Sequence, residues 1–274
     1  MPLSATPVKL AVERYEPDEP TEATPLVIAH GLFGSGRNWA SLARRFAKDP
    51  SKPRPVITVD MRNHGGSPWS GDMTYPAMAE DLRAAIETHT DGHALILGHS
   101  MGGKAAMATA LKSPGVVSGL LVADMAPVRY RDHGHEPIVA AMRALPLSAI
   151  RRRSDADALM ADAIPEPSLR AFVLQNLVFS EGVPRWRINL SVLADSLPRL
   201  MDWPDALAER RFAGPALFYH GGASDFVAED GRAEIARQFP HAAVDAMPDA
   251  GHWLHAERPD AFFERASQWL SRRD

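Results

Sequence analysis

Short apolar runs recur along the chain, separated by longer stretches in which apolar residues return every three or four positions. The runs are Leu26–Ala29, Pro55–Asp60, Ala94–Leu97, Gly119–Asp124, Pro215–His220 and Ala242–Met247. Most show no polar-apolar alternation, as expected of strands covered on both faces. Val8–Val12 does alternate, and reads as an edge strand. Helical periodicity is expected over Trp39–Phe46, Pro76–Thr88, Ser100–Lys112, Glu229–Phe239 and Pro259–Leu270, with Pro76 and Pro259 at first-turn positions that tolerate proline. Strands alternating with helices predict an α/β protein, a mostly parallel sheet with helices on both faces.

The rhythm stops between Pro127 and Ala213, where helical patterns are interrupted by prolines at 137, 146, 165, 167, 184, 198 and 204. A structureless loop of ~85 residues is improbable in a compact domain. This stretch is therefore expected to be a helical cap, inserted before the penultimate strand. Residues 1–126 would form the first part of the core domain, 127–213 the cap, and 214–274 the second part.

Composition narrows the function classes. The 274 residues carry 30 basic and 34 acidic side chains, a formal net charge of −4, which leaves no broad basic footprint for nucleic acid. The dense run Arg151-Arg152-Arg153 reads as a solvated turn beside a helix start. With no cysteine, disulfides, thiolate nucleophiles and cysteine zinc sites are excluded. Neither His133 nor His135 has a partner at metal-ligand spacing, so no metal is expected. The N-terminal residues Met1 to Pro7 lack a secretory pattern, and the longest nearly apolar stretch, Gly115 to Ala123, is far below the ~20 residues of a membrane span. The expectation is a cytoplasmic protein without a membrane span.

Chemistry concentrates at strand ends. Gly98-His99-Ser100-Met101-Gly102 follows one buried run and opens a helix, the arrangement in which a serine hydroxyl is presented on a sharp strand-to-helix turn. Serine needs a base. His252, in a glycine-flanked loop after the last strand, completes the chain order nucleophile, acid, base. His255, three residues on, reads as an exposed loop or helix-start residue. His30-Gly31-Leu32-Phe33-Gly34 follows the first strong strand, and Leu32 with Met101 would give the backbone N–H pair of an oxyanion hole. Trp253 and Phe33 are candidate substrate-lining residues, and Trp186, Phe172, Phe179 and Leu193 candidate cap walls. Asp60 to Ser67 reads as a turn whose polar side chains tie loops together.

Several of these segments, 30–35, 60–65 and 98–107, together with 123–128, 186–190 and 250–259, resemble one branch of the α/β-hydrolases, the small bacterial acyl esterases and their mitochondrial abhydrolase-domain relatives. The resemblance spans nearly the whole chain. It implies the α/β-hydrolase fold, action on small acyl esters or thioesters of short chain length, no cofactor and a compact cap.

Two aspartates compete as the acid. Asp225 follows the strand at 216–220, where most α/β-hydrolases carry it; Asp124 ends the preceding strand, where the resembled branch places it, and is favoured on that ground. Ser100 argues against the dehalogenase and epoxide-hydrolase branches, whose nucleophile is an aspartate. A C–C bond hydrolase, a cofactor-free perhydrolase and a non-catalytic binding protein share enough of the pattern to stand as alternatives.

Overall fold

The computed structural model describes residues 6–131 and 134–273; His133 and the first five residues of the chain lie outside these. A seven-stranded sheet carries the fold, in the order β1-β3-β2-β4-β5-β8-β9. Its strands are β1 (Val12–Tyr15), β2 (Leu26–Ala29), β3 (Val56–Val59), β4 (Ala94–His99), β5 (Val117–Ala123), β8 (Ala216–Gly221) and β9 (Ala242–Met247). Only β1 pairs antiparallel; the other neighbours are parallel.

The absence of alternation has a direct structural cause. In β4, Ile96 packs into one core while Leu95 and Leu97 pack into the other. In β5, Leu120 and Val122 face the first core and Leu121 and Ala123 the second. Helices cover both faces: α1 (Ala40–Ala47), the short α10 (Leu254–Glu257) and α11 (Pro259–Leu270) on one, α2 (Tyr75–His89), α3 (Met101–Lys112) and α9 (Glu229–Gln238) on the other. Each fully buried Leu, Ile or Phe of these strands contributes about 1.5–3 kcal/mol relative to exposure.

The edge strand is displaced from its expected position, forming at Val12–Tyr15 rather than Val8–Val12. Upstream N–H groups are taken by side chains: the Val8 N–H donates to Asp81 and the Ala11 N–H to Ser67 Oγ, so Ala11 meets the end of β3 only through its carbonyl, which accepts the Asp60 N–H at 2.9 Å.

Between β5 and β8 lie α4 (His135–Ala144), α5 (Arg153–Met160), α6 (Pro167–Leu174), α7 (Leu190–Met201) and α8 (Asp205–Ala208). An unforeseen hairpin, β6 (Leu177–Ser180) with β7 (Val183–Trp186), interrupts the helices. Its two-residue turn, Glu181-Gly182, has both φ angles positive, the geometry that matches strand twist. Pro184 sits in β7 without preventing pairing because the hairpin is two-stranded and every strand is an edge. Pro198 does not end its helix either; it lies inside α7, one turn from its end.

The C-terminus of α7 is bound to the core. Lys104 of α3, fully buried, donates to the Met201 and Asp202 carbonyls at 3.1 and 2.8 Å, and Tyr75 Oη donates to Leu200 at 2.6 Å. These donors satisfy last-turn carbonyls that a helix leaves open. Burial pushes the Lys104 ammonium down to about 7. No helix among the described residues is long and apolar enough to cross a membrane.

Candidate active site

Parallel strands leave a crevice beyond their carboxyl ends where strand order reverses. Here β2 lies between β3 and β4, so the loops after β2 and β4 flank that crevice. The loop after β2 carries Leu32, and the turn after β4 carries Ser100.

Ser100 stands between β4 and α3 with φ 52° and ψ −120°. Such a conformation costs on the order of 1–3 kcal/mol and persists only where the surroundings enforce it. The enforcement is steric. A Cβ on Gly98 would lie 2.3 Å from the Gly102 carbonyl oxygen, and one on Gly102 would lie 2.3 Å from that of Ala29. The turn can close only with glycine at both positions. Phe33, Asn63 and Asp124, beyond the carboxyl ends of β2, β3 and β5, also have positive φ, 62°, 66° and 49°.

The histidine pairs with Asp124 and not with Asp225. His252 Nδ1–H donates to Asp124 Oδ2 at 2.7 Å, with the carboxylate fully buried. Asp124 also accepts the Gly221 N–H on Oδ1 at 2.9 Å and the Ser224 hydroxyl on Oδ2 at 2.5 Å. Asp225 lines the cavity in front of the site instead. With Nδ1 protonated and held, the other ring nitrogen, Nε2, is the basic one.

Ser100 and His252 open onto the same cavity, of about 420 Å³, without a hydrogen bond between them among the described residues. Long or unformed contacts between nucleophile and base are ordinary in unliganded sites and tighten with substrate. The Ser100 N–H is bound to the Ala123 carbonyl at 3.2 Å, whereas the N–H groups of Leu32 and Met101 have no protein acceptor among the described residues. Those are the two donors expected for an oxyanion.

The loop carrying Leu32 is pinned by neutral histidines. His64 Nδ1–H donates to the Arg62 carbonyl, and its Nε2 accepts the Phe33 N–H at 3.2 Å. His30 Nε2 accepts the Met61 N–H at 2.9 Å. Burial pushes His64 down to about 3 and lowers His30, so both stay uncharged acceptors. The Asp60–Ser67 turn does tie loops: Asp60 accepts the Gly36 and Gly66 N–H groups, each at 2.7 Å. From the cap, Asn176 Nδ2 donates to the Phe33 carbonyl at 2.7 Å.

Side chains that no motif marks hold His252 in place. Phe226 stacks on the His252 ring, centroids 4.0 Å apart. Its own carbonyl accepts the Tyr130 hydroxyl at 2.7 Å. Glu257 accepts the N–H groups of Gly251 and Trp253, fixing the loop on either side of His252. Ser224, in a Gly-Gly-Ala-Ser turn, offered no signal apart from its nearness to Asp225. His255 corrects an expectation: it is buried, stacked on Trp39 at 4.2 Å, and burial pushes it down to about 3.

Trp253 and Phe33 both line the cavity. Of the four cap residues expected as walls, only Phe172 does so, joined by Leu169 and Ile138. Leu193 is fully buried in the core cluster, and Phe179 and Trp186 belong to the hairpin. Helix periodicity gives the apolar face but not which part of that face is left uncovered. No group of three or more potential metal ligands occurs among the described residues.

A sequence model described as the alpha/beta hydrolase family matches residues 26–265. The esterase YbfF of Escherichia coli strain K12 is 38% identical over 264 residues, covering 96% of this chain and all of that protein. The mouse sn-1-specific diacylglycerol lipase ABHD11 is 38% identical over 251 residues, 90% of this chain and 80% of the relative. Among solved structures, one described as a marine microorganism esterase superposes with a TM-score of 0.89 at 34% identity, over 96% of this chain and 99% of that one. An E-2-(acetamidomethylene)succinate hydrolase, 19% identical with a TM-score of 0.77 over 96% of this chain and 95% of its own, shares the fold. With the serine elbow, the sheet order and these matches together, the chain belongs to the α/β-hydrolase family.

Proposed function

We propose that the protein hydrolyses carboxylic esters through an acyl-enzyme on Ser100, with His252 as general base and acid and Asp124 as its partner. The coarse class, a carboxylesterase-type hydrolase, is that of the relatives named esterase and lipase. The finer reading rests chiefly on one observation: the 2.7 Å bond from His252 Nδ1 to buried Asp124, in a cavity that Ser100 shares.

The steps follow from that geometry. Ser100 Oγ attacks the acyl carbonyl carbon while His252 Nε2 takes its proton. Negative charge develops on the carbonyl oxygen, where the unspent N–H groups of Leu32 and Met101 and the N-terminus of α3 stabilise it. His252 then protonates the departing alcohol or thiol, and the same ring activates water to release the acid. Asp124 remains ionised and holds the tautomer. The acyl chain lies against Ile138, Leu169 and Phe172 of the cap, with Trp253 and Phe33 on the core side.

A series of p-nitrophenyl esters of increasing chain length, run beside the matching thioesters, tests this. The expected result is turnover of at least one series, with Ser100→Ala lowering kcat by several orders of magnitude, on the order of 10⁶ in a comparable enzyme. Wild-type protein that turns over neither series would remove the reading.

A further inference from the structure

A second cavity, of about 280 Å³, adjoins the first. Core and cap build it together. Ser35 and Arg37 come from the turn after β2, Arg153 from the start of α5, Gln175 from the end of α6, and Arg187 from the segment after β7. Three guanidinium groups line it and no carboxylate does.

Elsewhere Arg62, Arg83, Arg129 and Arg237 each have a carboxylate partner. Arg37, Arg153 and Arg187 have none among the described residues. Arg153 is oriented by donating Nε and Nη2 to the Leu174 and Leu177 carbonyls, both at 2.9 Å, which leaves Nη1 unspent. Gln175 Oε1 accepts from Asn38 at 2.9 Å, leaving the amide N–H₂ of Gln175 as a further donor. Arg37 and Arg153 are exposed and Arg187 is half-buried, so water screens their mutual repulsion, and a bound anion adds the counter-charge that the cavity lining lacks.

We propose that this cavity binds a phosphate group carried on the alcohol portion of the ester, a substrate feature that rests on the ester-hydrolase reading above. Phosphate suits the lining better than a carboxylate. A phosphate monoester carries about −1.5 to −2 at pH 7 and offers three acceptor oxygens, enough for several guanidinium forks. The two cavities adjoin, as one molecule reaching both requires. Phe33 and Asn38 line both cavities. Ser35 lies three residues beyond the oxyanion donor Leu32, a span of at most ~11 Å. The turn closed by Gly34 N–H on the Gly31 carbonyl shortens it further. The acyl chain then occupies the apolar cavity and the phosphate sits a few bonds from the ester oxygen, joining cap to core.

The test compares kcat/KM for 1-butyrylglycerol 3-phosphate with that for 1-butyrylglycerol, in the wild-type protein and in Arg37→Ala/Arg187→Ala. Wild type should favour the phosphorylated ester by about tenfold or more, and the double variant should lower that ratio by about tenfold, the effect of losing charge-assisted bonds. Inorganic phosphate should compete with the phosphorylated ester in wild type and far less in the variant. A wild-type ratio near one overturns the proposal, as does a ratio unchanged by the double substitution. Inorganic phosphate that alters turnover of the neutral ester while that ratio stays near one would mark a site for free phosphate, and also overturns it. Turnover of p-nitrophenyl butyrate, measured alongside, separates the two failures: if it persists, only the phosphate subsite falls; if no ester is cleaved, the hydrolase reading falls and the subsite with it.

Discussion

Asp124 accepts three hydrogen bonds, from Gly221, Ser224 and His252, and its own backbone is held in the left-handed region at the end of β5. Asn at that position keeps the shape but offers an amide where His252 needs a full acceptor charge, so the imidazole loses its tautomer. Asp124→Asn should therefore lower kcat by about 10⁴. Asp225→Asn, at a cavity wall, should lower it by less than ~10-fold, since no contact to the base is lost. Steady-state rates on p-nitrophenyl butyrate decide between them. This choice was only partly legible in the sequence. Ser100, His252 and the proposed oxyanion donors Leu32 and Met101 announce themselves through glycines at strand ends. Asp124 and Asp225 both follow strand ends at the same rim of the sheet, and only three-dimensional contact separates them. Ser224, Phe226 and Glu257 act through contacts that no spacing rule marks.

Among the elements, the strand-turn-helix around Ser100 is the least tolerant of change. Gly102 lies against the Ala29 backbone, where a Cβ would meet a carbonyl oxygen at 2.3 Å, and neither partner is a flexible side-chain end. Gly102→Ala must therefore shift β2 against α3, in the middle of the sheet. The expected outcome is a loss of at least ~1–3 kcal/mol, as for other overpacked sites, with loss of esterase turnover, read by thermal melting and by rate. An unaltered melting temperature would show that the close approach is not structural. Strands and core helices were legible because two apolar faces leave an uninterrupted run, and helices a 3.6-residue period. The hairpin β6-β7 was not, because Pro184 and a four-residue strand length mask it. The edge strand moved because side chains of Asp81 and Ser67, distant in sequence, compete for its backbone.

At the scale of the whole molecule, buried neutral histidines link stability to pH. His64 and His255 both titrate near 3 in the folded protein through burial, against an ordinary value near 6.5. In the unfolded chain they take up protons as pH falls below about 6.5, while the folded protein does not. Each therefore contributes stability that is present above that value and is lost as pH falls toward 3. His255→Phe preserves the flat stack on Trp39 and removes one such proton. Between pH 6 and 4 its unfolding free energy should fall less steeply than that of wild type, by up to ~1.4 kcal/mol per pH unit. Denaturant melts across that range measure it, and parallel slopes for the two proteins would contradict the assignment. All of this surrounds one proposed pair, the Ser100 hydroxyl and the His252 imidazole, which share a cavity. The most direct measurement is reaction with a fluorophosphonate followed by intact mass and peptide mapping. The account predicts a single adduct, on Ser100, absent from Ser100→Ala and formed orders of magnitude more slowly in His252→Ala. An adduct on another residue, with full ester turnover retained in Ser100→Ala, would contradict it.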